Sequence, residues 1–155
     1  MDASAYSIRD VKNTTGKLLG VDFGDTRTGL AVSDISRFLA SGIGYVSPGG
    51  IEKTAQRVTE VAQEQKVTAI VVGLPKNMDG TEGPRAELYR SFAAQIEEKT
   101  GLKPVLWDER RTTVDAHRIL FEAGKNAKKR KKTVDAVAAT LILEGYLTFK
   151  RVKKV

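Results

Sequence analysis

The chain has 155 residues, with 26 Lys and Arg against 19 Asp and Glu, a net charge of +7 and 41% hydrophobic residues. That length fits one domain able to bury a core of its own, and the apolar content excludes a disordered tail. The absence of cysteine excludes a disulfide framework, a zinc-thiolate site and a thiol nucleophile, and the single histidine, His117, excludes a multi-histidine metal centre.

Residues 1–16 read as a polar extension without the apolar stretch of a signal peptide, and no apolar run approaches the ~20 residues of a membrane span. A cytoplasmic protein is expected. Lys17 to Phe23 is a short apolar strand, Gly24-Asp25-Thr26 is turn chemistry, and Arg27 to Ser33 completes a hairpin. Residues 37–46 are a weaker strand, broken at Pro48-Gly49-Gly50. Ile51, Ala55, Val58 and Ala62 then fall on one helical face, followed by a strand over Val67 to Val72 and a loop from Gly73 to Gly83. Pro84 and Gly101 bracket a helix whose Leu88, Phe92 and Ile96 face a core, and Pro104 to Trp107 forms a last strand. Thr112 with Asp115 opens a helix that Gly124 closes. After the basic run 125–132, Thr133 caps a final helix with Val134, Val137, Ala138, Leu141 and Ile142 on one face. This order is an α/β domain with a mixed sheet over residues 17–149, followed by a basic tail at 150–155.

Charge divides the chain unevenly. Residues 1–124 carry 16 basic and 17 acidic side chains, while residues 125–155 carry 10 basic and 2 acidic ones. Such asymmetry points to a polyanionic partner. Lys125, Lys128, Lys129, Arg130, Lys131 and Lys132 would meet phosphates, giving affinity without sequence readout.

Three acids stand where open α/β sheets bind ligands, or close to it. Asp22 interrupts an apolar strand, and Asp108 and Glu109 close another. A buried carboxylate without a partner costs several kcal/mol or takes up a proton, and a cation removes the penalty. Alternation sends Asp108 and Glu109 to opposite faces, so only one of them easily joins Asp22. Asp135 opens the final helix on the flank of Ala139, Ile142 and Tyr146. Together these acids form an oxygen cage suited to Mg²⁺ or Mn²⁺.

Four motifs, GVDFGDTRTGLAVSD (20–34), VVGLPKNMDGTEG (71–83), WDERRTT (107–113) and KTVDAVAATLILEGYL (132–147), occur in that order. Together they resemble the YqgF/RuvX family, whose members are described as Holliday junction resolvases or pre-16S ribosomal RNA nucleases. The resemblance implies an RNase H-like fold, with a mixed sheet of about five strands flanked by helices. It also implies a metal-dependent endonuclease acting on an RNA precursor or branched DNA, as monomer or homodimer, leaving a 5′-phosphate and a 3′-hydroxyl. By motif, Asp22, Glu109 and Asp135 become the catalytic and metal-binding acids. Asp108 is the alternative at the strand end, and Glu109 is preferred for its longer reach. The resemblance also places Arg27, Lys76, Asn77 and Arg85 near the nucleic-acid backbone. Two rival readings remain at this level: a non-catalytic nucleic-acid-binding module, and an ATP-binding relative of the actin and Hsp70 fold, which a single domain leaves without its second wall.

Overall fold

A computed structural model describes residues 16–77, 79–109 and 127–153, with side chains of the last helix described from Ala136 to Arg151. Five strands, β1 (Leu18–Asp22), β2 (Thr28–Ser33), β3 (Ala40–Val46), β4 (Ala69–Leu74) and β5 (Val105–Asp108), form one sheet in the order β3-β2-β1-β4-β5. The first three strands are antiparallel neighbours, and β1, β4 and β5 are parallel. The two-part hairpin and helix α1 (Ile51–Gln65) agree with the apolar periods read from the sequence. So does α2 (Ala86–Thr100), which ends at Gly101 with φ of 78°.

Each strand alternates between two apolar layers. Leu19, Val21, Phe23, Ile70, Val72 and Leu74 point to the side covered by α1 and α2, where Phe92 and Ile96 are fully buried. Leu18, Ala31, Val71 and Trp107 point to the other side, covered by α3 (Ala127–Lys153). Burial of these side chains from both faces, at roughly 1.5–3 kcal/mol each, is the main force holding the layers together.

Helix α3 departs from the sequence reading in two ways. It begins at Ala127 and runs through Thr133 without a break, so the basic run 128–132 is its first turns rather than a loop before a Thr133 cap. Lysine and arginine are good helix formers, and propensity carries the helix through them. Its buried face is also rotated from the expected one. Ala138 is exposed and Leu141 half-buried, while Ala136, Val137, Ala139, Ile142, Leu143 and Leu147 are buried. The apolar residues nearly encircle this stretch, so pattern alone did not fix the face; the small residues did. A Cβ on Gly20 of β1 would lie 2.9 Å from Leu143 Cβ and 3.0 Å from the Ala139 carbonyl oxygen, and one on Gly42 of β3 would lie 2.7 Å from Ala136 Cβ. Two strand glycines therefore let the helix backbone rest almost on the sheet.

Gly73 and Leu74 belong to β4, so the loop expected from Gly73 starts after Leu74. The helix expected over 112–124, with Thr112, Thr113 and His117, lies outside the described residues, as do the polar extension 1–15 and Lys125. Arg151 donates to the Phe38 carbonyl oxygen at 3.1 Å and lies over the Phe38 ring, so the helix stays attached to the β2–β3 turn near its end. Among the described residues, no helix is long and apolar enough to cross a membrane.

Candidate active site

The parallel strands β1, β4 and β5 all end on one edge of the sheet. Leu19, Val21 and Phe23 enter the core under α1 and α2, so alternation turns Asp22 to the α3 face. Asp22 is half-buried there, and burial raises its carboxyl above the usual range. The position next to it on β4 follows from the register Val21↔Val72: Gly73.

Gly73 leaves the gap that the Glu109 carboxylate occupies. A Cβ built on it would collide with Ile142 Cδ1 and would stand 2.5 Å from Glu109 Oε1. The Glu109 carboxylate therefore lies across the end of β4, above the glycine and toward Asp22. Its carboxyl is pushed up to about 7, first by burial, then by the charge of Asp22, then by that of Asp108. Asp108 sits opposite Leu74, on the face of the α1–α2 core. The geometry thus brings Glu109, and not Asp108, to the face that carries Asp22. Two half-buried carboxylates, one raised by burial and the other by burial and by its neighbour's charge, make an anionic pocket that a cation would relieve.

The chain around Asp22 is held from outside the sheet. Tyr89 of α2 donates its hydroxyl to the Phe23 carbonyl oxygen at 3.1 Å, and its ring meets Phe23 edge-on. Arg85 pairs with Asp25 in the β1–β2 turn at 2.8 Å, holding that carboxyl below its usual range. Asp135 lies in α3 one turn before Ala139, the residue that rests on Gly20. Its side chain is outside the described residues. Among those described, no group of three or more His, Cys, Asp or Glu stands close enough to hold a metal ion. Asp22 and Glu109 supply hard carboxylate oxygens of the kind that suit Mg²⁺ or Mn²⁺.

A family model described as RuvX, Holliday junction resolvase, matches residues 16–149. The chain belongs to the RuvX family. A protein of Carboxydothermus hydrogenoformans named "Putative pre-16S rRNA nuclease" is 43% identical over 134 residues, 86% of this chain and 97% of its own. One of Clostridium botulinum strain Eklund 17B with the same name is 45% identical over 131 residues, 84% of this chain and 96% of its own. Among solved structures, Thermus thermophilus RuvC in complex with a Holliday junction superposes with a TM-score of 0.58 at 17% identity, covering 87% of this chain and 96% of RuvC. The Fowlpox virus resolvase with its junction DNA gives 0.52 at 12% identity, covering 86% and 98%. At these identities the two resolvases share the fold of the RuvX chain, which is the RNase H-like arrangement that the four motifs imply.

The other residues that the sequence reading assigns to the nucleic-acid backbone fall in three places. Arg27 is exposed beside the β1–β2 turn, with its guanidinium 5.0 Å from the centre of the Tyr45 ring. Lys76 and Asn77 lie in the loop after β4, which folds back on itself through a Lys76↔Glu82 bridge and an Asn77 side chain that donates to Thr81 Oγ1 at 3.0 Å. Asn77 thus ties the loop together, and Arg85 spans from it to the first turn. Lys128, Lys129, Arg130, Lys131 and Lys132 occupy the first turns of α3, immediately before Asp135. Gly73 and Tyr89 do not stand out in the sequence: a glycine in an apolar run and a tyrosine on a core face carry no chemical signal until the register is known.

The space over Gly73 carries an expectation of its own. Gly73→Ala puts a methyl group where the Glu109 carboxylate lies. Both colliding groups are side-chain ends that can swing away, so stability falls by only about 1–2 kcal/mol. Cleavage falls further, by roughly 10- to 100-fold, because Glu109 is displaced. Thermal melts beside single-turnover rates separate the two effects.

Proposed function

We propose that this protein is a metal-dependent endonuclease that cleaves phosphodiester bonds in structured nucleic acid. The observation that carries the reading is the Glu109 carboxylate held over Gly73 within reach of the Asp22 charge, which with burial raises it to about 7. A pure binding module has no use for paired anions at the edge where phosphates must dock. Asp22 and Glu109 would hold Mg²⁺ or Mn²⁺, with Asp135 joining from α3. Bound there, the ion supplies an activated water and neutralises charge on the phosphate.

The chain's own residues do the rest. Asp22 and Glu109 anchor the site from β1 and the end of β5, and the Tyr89 hydroxyl fixes the backbone just beyond Asp22. The Asp25–Arg85 pair closes the turn beside it. The basic first turns of α3 bind flanking phosphates. Replacing Lys128, Lys129, Arg130, Lys131 and Lys132 with Gln should reduce the slope of log affinity against log salt by about 0.7–0.9 for each phosphate no longer neutralised, measured by titration from low to moderate salt. An unchanged slope would return the run to a solubility role.

A 5′-end precursor of 16S ribosomal RNA is the favoured substrate. Relatives at 43–45% identity over nearly their whole length carry that name, whereas the resolvase structures are far more distant. The description of the family model keeps four-way junction DNA as the second reading. The test is one panel of precursor RNA, four-way junction DNA and duplex DNA, each with Mg²⁺, Mn²⁺ or EDTA. Metal-dependent cuts in the precursor RNA support the favoured substrate. Cuts confined to the junction support the second. No cleavage of any substrate in either metal would overturn the nuclease reading. We propose a cytoplasmic location, with a monomer on RNA and a homodimer on a junction, where two cuts are needed.

A further inference from the structure

The β2–β3 ladder contains an irregularity that seats Val46 in the core and turns its neighbour Tyr45 to the opposite face. From Ser33 to Ala31 the strands pair as Ser33↔Ala40, Val32↔Ser41 and Ala31↔Gly42, and then the register slips by one, so that Leu30 faces Gly44 and Gly29 faces Tyr45. Ile43 is the extra residue of a β-bulge. A one-residue slip reverses every side chain beyond it. Without the bulge Tyr45 would oppose Thr28, on the face of the α1–α2 core, where Val46 is now buried. With it, Tyr45 opposes Gly29, which itself opposes Asp22. The ring is carried to the face of the acids, two strand spacings or about 10 Å along the row from Asp22. It stays 44% exposed, and the Arg27 guanidinium lies over it.

From this placement we propose that Tyr45, with Arg27 over its ring, is a stacking platform that positions an unpaired nucleobase beside the bond to be cut. The inference rests on the nuclease reading of the acid pair and adds a positioning residue to it. An exposed aromatic ring accepts any base by stacking, and a guanidinium held at its face meets the adjoining phosphate. The bulge explains why the ring points there at all: it gives up regular pairing on an edge strand to move a large side chain out of the core and into solvent. The first turns of α3 contain no aromatic residue, so stacking is a function that the basic run does not supply.

The test is binding of single-stranded DNA and RNA oligonucleotides carrying one 2-aminopurine, in EDTA, followed by cleavage kinetics in Mg²⁺. Wild-type protein should quench the base fluorescence. Tyr45→Ala should abolish the quenching and weaken binding roughly tenfold, whereas Tyr45→Phe retains both. With a cleavable substrate, the Tyr45→Ala loss should fall in KM rather than in kcat, and should vanish on a substrate with no unpaired base. Quenching of DNA alone or RNA alone identifies which strand the platform takes. Quenching that persists in Tyr45→Ala, or is absent from wild type with both strands, overturns the proposal. Because the binding arm needs no cleavage, a protein that quenches through Tyr45 yet cuts nothing would retain the platform and lose the nuclease reading.

Discussion

Asp22→Asn should abolish metal-dependent cleavage, with a loss on the order of 10³-fold or more, while the fold persists. The amide has the shape of the carboxylate and one polar oxygen, but no charge with which to hold a divalent cation. The substitution also removes a half-buried anion whose proton affinity burial has raised. The folded protein should therefore be no less stable near neutral pH than wild type. Loss of activity through unfolding would show as a lowered melting temperature, so melts and rates are measured on the same preparation. Full activity in Asp22→Asn would remove Asp22 from the site. Inactivity with a collapsed melt would make Asp22 a structural residue.

Glu109→Gln should lower cleavage by a similar factor and, in the absence of metal, raise stability. The sign follows from linkage. The folded carboxyl is raised from 4.5 to about 7, so the folded state binds the proton more tightly than the unfolded chain. Its stabilising contribution is fully present below about pH 4.5 and is lost as pH rises through 7. Glutamine has no such dependence. At pH 8 the variant should exceed wild type by about 1–2 kcal/mol, roughly half the undiscounted linkage value because the group is partly open to solvent. Near pH 4 the two should coincide. Adding Mg²⁺ should narrow the gap at pH 8 by stabilising wild type alone. Urea melts at four pH values, with and without Mg²⁺, check each part. A variant less stable than wild type at pH 8 without metal would mean that Glu109 is not held against Asp22.

Much of the sheet was legible because its strands are short apolar runs bounded by glycine, proline and aspartate, and because α1 and α2 have one apolar stripe each. Helix α3 was legible in existence but not in orientation. Its apolar residues nearly encircle the middle turns, and its buried face was selected by Gly20 and Gly42, which lie far away in sequence. Its start lies earlier than the sequence suggests, because a capping residue, Thr133, and a run of like charges both resemble boundaries. Helix propensity outweighs them.

The acids divide in the same way. Asp22 was conspicuous because a carboxylate inside an apolar strand is costly wherever that strand packs. The choice between Asp108 and Glu109 could not come from local pattern, since neighbouring strand residues always face opposite ways. It came from the pairing of Leu74 with Asp108, which assigns Asp108 to the α1–α2 face, and from the missing side chain of Gly73, which leaves room for Glu109 on the other. Tyr45 was invisible for a related reason, because a bulge changes the face of every residue after it and leaves composition untouched.

The linear chain by itself determined the class of fold, the identity of the motifs, and the separation of an acidic body from a basic C-terminal fifth. Those are properties of composition, period and order, which survive without coordinates. Tertiary structure alone decided which strand-end acid shares the face of Asp22, and which aromatic ring joins it there. The first depends on the β4–β5 register and on the space left by Gly73, and the second on the bulge that shifts the β2–β3 register.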